Sequence, residues 1–115
     1  MDDLVEIRDR MRAFTRVRDW EKFHDPKSLI LAITGEVGEL AELFQWLPAE
    51  RAKSLATTGK LHKRVGEEIA DILIYLVRLA DVMEIDLADA TFNKLEAISR
   101  KYPAAEYQGL APVKD

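Results

Sequence analysis

The chain has 115 residues, 48% of them hydrophobic and 33% charged, with a net charge of −4 and no cysteine. That composition fits one globular domain with a modest core, and it excludes a disulfide framework, a thiolate zinc site and the basic stripe that nucleic acid requires. No stretch reaches the roughly 18 uncharged apolar residues of a membrane span, and MDDLVEIRDRM lacks the basic-then-apolar order of a secretory leader, so the expected location is cytoplasmic with neither membrane nor nucleic-acid partners.

Nearly all of the chain reads as helix. Leu4, Ile7, Met11, Phe14 and Val17 recur at three- and four-residue spacing, which predicts a first helix over residues 3–20. HDPKS then offers Asp25 as an N-cap and Pro26 at the first helical position, opening a second helix that runs to Leu47 before Pro48. PAERAKSLATTGK is polar and loosely helical, ending at Thr57-Thr58-Gly59. A third helix follows over 61–83. Asp86 and Asp89 open a fourth that stops before Pro103. The expected architecture is an all-α, four-helix bundle-like domain over 1–103, with a C-terminal tail over 104–115.

The third helix is apolar on nearly every side: Ile69, Ile72, Leu73, Ile74, Leu76, Val77, Leu79 and Val82. Such a helix must be buried, yet four helices of this length cannot surround one of their own. The pattern predicts a homo-oligomer, dimer or tetramer, with this helix at or near the interface.

Two acidic doublets lie inside these apolar stripes, Glu36-x-x-Glu39 and Glu68-x-x-Asp71. Spacing alone means little in a chain with 21 acids. Position on the helix carries the signal. At about 100° per residue, Leu29, Leu40, Leu43 and Leu47 fall within about 40° of Glu36, and Glu39 lies on the flank. On the third helix Ile72, Tyr75 and Leu79 fall within about 40° of Glu68, with Asp71 at the edge. Glu67 points away from that stripe, so Glu68 is the better partner for Asp71. A core-facing carboxylate is costly unless a cation satisfies it. Four oxygen ligands without Cys or His indicate a hard divalent metal, Mg²⁺ ahead of Mn²⁺. The alternative is pairing with Arg or Lys of a neighbouring helix, for which Arg78 is the nearest candidate. A di-iron bundle would need two E-x-x-H motifs, and Glu21-x-x-His24 stands alone.

GEVGELAELFQW followed by EEIADILIYLVRLAD resembles the MazG-like, all-α nucleoside triphosphate pyrophosphohydrolases, and within them the dCTP pyrophosphatase-like branch. The similarity runs from Arg18 to Pro103 and includes RDWEKFHDP and KYP. It implies hydrolysis of a nucleoside triphosphate between the α- and β-phosphates, giving monophosphate and pyrophosphate. It implies Mg²⁺ held by Glu36, Glu39, Glu68 and Asp71; for metal-assisted attack of water on the α-phosphorus, Glu36 or Glu39 is the expected catalytic base. It also implies dimeric or tetrameric assembly with shared sites. Trp20, Trp46 and Tyr75 match positions that line the nucleotide pocket, where an indole face suits base stacking. Trp46 is expected on the Glu39 side of the second helix, and Phe23 and His24 near the pocket mouth. Lys94 shares a face of the fourth helix with Leu87 and Ile98, where it can hold a phosphate or pair with an acid; the phosphate is favoured. The chain departs from its branch at Met11, where a base-contacting His can stand, and at Ile98, where relatives often carry Asn. Both leave base and sugar preference open. The rival reading is a non-catalytic helical adaptor, or a related enzyme acting on another polyphosphate.

Overall fold

Each of the three helices that opens on an aspartate does so by the same local chemistry. The Asp2 carboxylate accepts from the Leu4 amide at 3.0 Å and starts α1, Asp3–Val17. Asp25 accepts from the Ser28 amide at 2.9 Å and, with Pro26 next, starts α2, Pro26–Phe44. Helices α3 (Ala49–Ala56) and α4 (Gly59–Val82) follow. Asp86 then accepts from the Asp89 amide at 3.0 Å and starts α5, Leu87–Lys101, before a single-turn α6, Ala104–Tyr107. Each cap satisfies an amide that the helix leaves without an internal partner. The structure, a computed structural model, describes residues 2–113, and it is all-α with no strand among the described residues.

Several boundaries differ from the sequence expectation. The first helix stops at Val17, where Asp19 takes a left-handed conformation (φ 53°) and the Trp20 amide bonds back to the Thr15 carbonyl at 3.0 Å. This is the helix-terminating geometry that releases the chain into a new direction. A 3₁₀ turn, Glu21–Phe23, bridges to α2. The second helix ends at Phe44 rather than Leu47; Gln45 is still αR, and Trp46 and Leu47 form the turn that leads to Pro48. The loosely helical stretch is a regular helix, α3. The tail contains α6, where Tyr102 and Tyr107 meet edge to face at 5.1 Å.

The chain divides into two compact units, Met1–Glu84 and Ile85–Asp115. In the first, α4 is the hub, packing against α1, α2 and α3. Among the described residues its sealed apolar side chains are Leu29, Ala56, Val77 and Ala80. Large apolar groups stay outside: Ile30, Leu31 and Val37 on α2, and Ile69, Leu73 and Leu76 on α4. Helix α4, apolar on nearly every side, is thus covered on one side by its own chain and open on another. In the second unit Phe92, Leu95 and Ile98 are exposed along α5. None of the described helices is long and apolar enough to cross a membrane.

Candidate functional site

The packing of α2 on α4 brings acids from both helices together. Glu36, Glu39 and Glu68 each offer an oxygen within 4.8 Å of the others. Glu68 is 6% exposed, Glu36 half-buried and Glu39 exposed. One oxygen of Glu36 and one of Glu68 are sealed from solvent without a hydrogen-bond partner. Burial pushes the Glu36 carboxyl up to about 7; the adjoining Glu68 carboxyl and the charges of Glu39 and Asp71 act in the same direction. Like charges forced together in a partly dry site favour the protonated form.

Asp71 is exposed and is not one of the three converging acids, although its charge reaches Glu36. Glu67 is exposed, while its neighbour Glu68 faces Glu36. Arg78 does not neutralise the cluster; it pairs with Asp81 at 3.2 Å. The cation that approaches Glu68 is Arg64, one helical turn away at 3.8 Å and 57% exposed, and it leaves the second Glu68 oxygen unpartnered. Two orphaned, buried carboxylate oxygens in a three-acid group are the donor set of a hard divalent cation. The residues present fit such an ion.

The aromatic candidates occupy distinct settings. Trp20 is 44% exposed and meets Phe14 in a T-shaped arrangement at 5.7 Å, and the Arg18 guanidinium lies 3.7 Å from the Phe14 ring centre. Tyr75 is half-buried on α4. Trp46 is 86% exposed, in the turn after α2. Lys94 is exposed on α5, in the second unit; Met11 is half-buried on α1. Phe23 is exposed and His24 half-buried.

Periodicity gave no notice of one polar network. Arg78, 8% exposed, donates from Nε to His24 Nδ1 at 3.0 Å and from Nη1 to Asp81 at 3.2 Å. Arg12 of α1 grips the same Asp81 through Nε at 2.7 Å and through Nη2. The Arg12 bond holds the Asp81 carboxyl below its usual range, and burial followed by the Arg78 charge holds His24 below its own. The signal available in the sequence was the Arg78-x-x-Asp81 spacing, which puts the two on one face of α4.

An all-α chain in which α2 and α4 converge three acids, two with buried unpartnered oxygens, has the donor chemistry of a divalent-cation site. The family model described as MazG-like matches residues 31–112. The chain belongs to the MazG-like family. It is 45% identical over 108 residues to dCTP pyrophosphatase 1 of Bos taurus, covering 94% of this chain and 64% of that protein. It is 44% identical over 101 residues to the Homo sapiens protein of the same name, covering 88% and 59%. The chain therefore spans about three-fifths of the length of the curated relatives it matches. A solved pyrophosphatase from Archaeoglobus fulgidus superposes with a TM-score of 0.82 at 41% identity, covering 90% of this chain and 94% of that one.

Proposed function

We propose that the chain is a Mg²⁺-dependent nucleoside triphosphate pyrophosphohydrolase, with a dCTP-like nucleotide favoured, releasing the monophosphate and pyrophosphate. The observation that carries this reading is the pair of orphaned carboxylate oxygens, on Glu36 and Glu68, inside a three-acid cluster. The names and identities of the bovine and human relatives support the dCTP preference, and the archaeal structure supports the phosphoanhydride chemistry.

In this reading Glu36, Glu39, Glu68 and Asp71 hold the cation. Bound there, Mg²⁺ supplies charge neutralisation of the triphosphate and stabilisation of the leaving oxygens. Glu36 or Glu39 accepts a proton at a carboxylate oxygen from the attacking water. Trp20, Trp46 and Tyr75 bind the base and sugar. Mn²⁺, with similar oxygen preference, is the expected substitute.

The same reading includes a homo-oligomer, dimer or tetramer. The exposed apolar side chains of α2 and α4 favour it: Ile30, Leu31, Val37, Ile69, Leu73 and Leu76 all stand on the outside of the single chain.

The test is pyrophosphate release from a panel of canonical and modified NTPs and dNTPs, in Mg²⁺ and in EDTA. Mg²⁺-dependent release with the monophosphate as co-product, highest for dCTP or a cytosine analogue, is expected. No release from any nucleotide by folded, Mg²⁺-loaded protein would overturn the reading and favour a non-catalytic helical adaptor.

A further inference from the structure

The connection between α1 and α2 carries Trp20, whose ring meets Phe14 of α1 at 5.7 Å, while the rest of the segment has little of its own to hold it. None of the residues of its 3₁₀ turn is buried, and Trp20, Glu21, Lys22 and Phe23 are all exposed. Its front end is fixed by the left-handed Asp19 and the Trp20-to-Thr15 backbone bond, its back end by the Asp25 cap of α2. Between them the one side chain drawn inward is His24, and what it meets is Arg78 of α4.

Arg78 is built to hold a direction. Its guanidinium is planar, and Nη1 is already bound to Asp81, so the fork fixes where Nε points. Asp81 cannot swing away, because Arg12 of α1 holds it through two nitrogens. An arginine Nε can only donate, so His24 Nδ1 must accept, and the imidazole is the neutral tautomer with its proton on Nε2. The lowered affinity of His24 for a second proton agrees with that assignment. Arg78 also stands on the helix that carries Glu68 and Asp71, ten residues and roughly 15 Å along the axis from Glu68.

We propose that Arg78 is a positioning residue for nucleotide binding: through His24 it indexes the Trp20-bearing connection to the same helix that carries the metal-binding acids. The inference rests on the reading of Trp20 as a base-stacking group. A rigid helix then sets the distance between the group that takes the base and the group that takes the phosphates. Its loss leaves the acids in place and loosens the base end, which weakens substrate binding more than turnover.

The experiment measures KM and kcat for dCTP hydrolysis, and the Mg²⁺ concentration for half-maximal rate, in the full chain. The variants are Trp20→Ala, Arg78→Lys, His24→Leu, His24→Asn and the Arg78→Lys/His24→Leu double. Arg78→Lys keeps the charge and loses the fork. His24→Leu leaves the Arg78–Asp81–Arg12 ties intact, so it serves if Arg78→Lys does not fold. His24→Asn restores an acceptor oxygen near the Nδ1 position. The expected result is a KM raised about tenfold in Arg78→Lys and His24→Leu, the loss of one charged hydrogen bond's worth of order. In both, kcat and Mg²⁺ half-saturation stay within about threefold, His24→Asn recovers most of the KM, and the double is no worse than the poorer single. If Trp20→Ala raises KM while Arg78→Lys and His24→Leu do not, the positioning role is overturned and the stacking role stands. If Trp20→Ala leaves KM unchanged, the stacking reading and the inference fall together. Equal damage from His24→Leu and His24→Asn, or multiplying effects in the double, would mean that the imidazole or Arg78 acts on its own, and would also overturn it.

Discussion

Glu68→Gln is expected to stabilise the metal-free protein while abolishing turnover. Glu68 is 6% exposed and places an oxygen within 4.8 Å of two other acids. A like charge at that separation acts on it with roughly 1 kcal/mol in water and about 3 kcal/mol at an effective dielectric of about 20. The attraction of Arg64, at 3.8 Å and 57% exposed, returns only about 1 kcal/mol through solvent. The glutamine keeps the shape and removes the charge, so the net relief is about 1–2 kcal/mol. In a domain of this size that raises Tm by roughly 5 °C. The assay is thermal unfolding in EDTA and again in saturating Mg²⁺, with pyrophosphate release measured alongside. In EDTA the variant should melt above the parent protein. In Mg²⁺ the order should reverse, because only the parent gains binding free energy. A variant that melts below the parent in EDTA would refute the reasoning, since it would make Glu68 a structural anchor satisfied by Arg64.

Other expectations follow from the same geometry. Because Glu36 titrates near 7 in the metal-free site, a proton competes with the cation, and the Mg²⁺ needed for half-maximal rate should rise as pH falls below 7, by up to about tenfold per unit; a flat profile from pH 6 to 8 would count against it. The raised Glu36 value also means that the metal-free fold binds more protons than the unfolded chain between 4.5 and about 7, so this group's contribution to stability declines as pH rises through that window. His24 has the opposite sign: its folded value lies below the ordinary 6.5, so its contribution is complete above 6.5 and is lost as pH falls below it. His24→Asn should remove that part of the pH–Tm curve. If the proposed oligomer forms through the open side of α4, Leu73→Asp should leave the protein smaller by light scattering; an unchanged mass would count against an interface there.

How much of this was readable depends on the range over which each signal acts. Helix starts were legible at Asp25-Pro26 and at Asp86, because a cap is settled within three residues. The inward set of Glu36 and Glu68 was legible because helical pitch fixes the face a side chain takes over one or two turns. What pitch does not fix is which neighbour lies on that face. Arg78 was placed as a possible partner for the acids; the structure gives it His24 and Asp81, and gives Asp81 to Arg12, 69 residues away in sequence. Trp46 shows the limit at a helix end. A wheel drawn through Leu47 puts it beside Glu39; the helix stops at Phe44, and beyond that point pitch alone no longer fixes where the exposed indole of Trp46 points.

The sparse interior of the first unit changes how its sequence can vary. With Leu29, Ala56, Val77 and Ala80 as the sealed apolar set among the described residues, little of its hydrophobic free energy is secured within one chain. If the open side of α2 and α4 is closed by a second copy, folding and association are one equilibrium, and the melting temperature climbs with protein concentration. Substitutions at Leu73 or Leu76 would then behave as core mutations despite their position on the outside of the chain, and dilution alone would reproduce their phenotype.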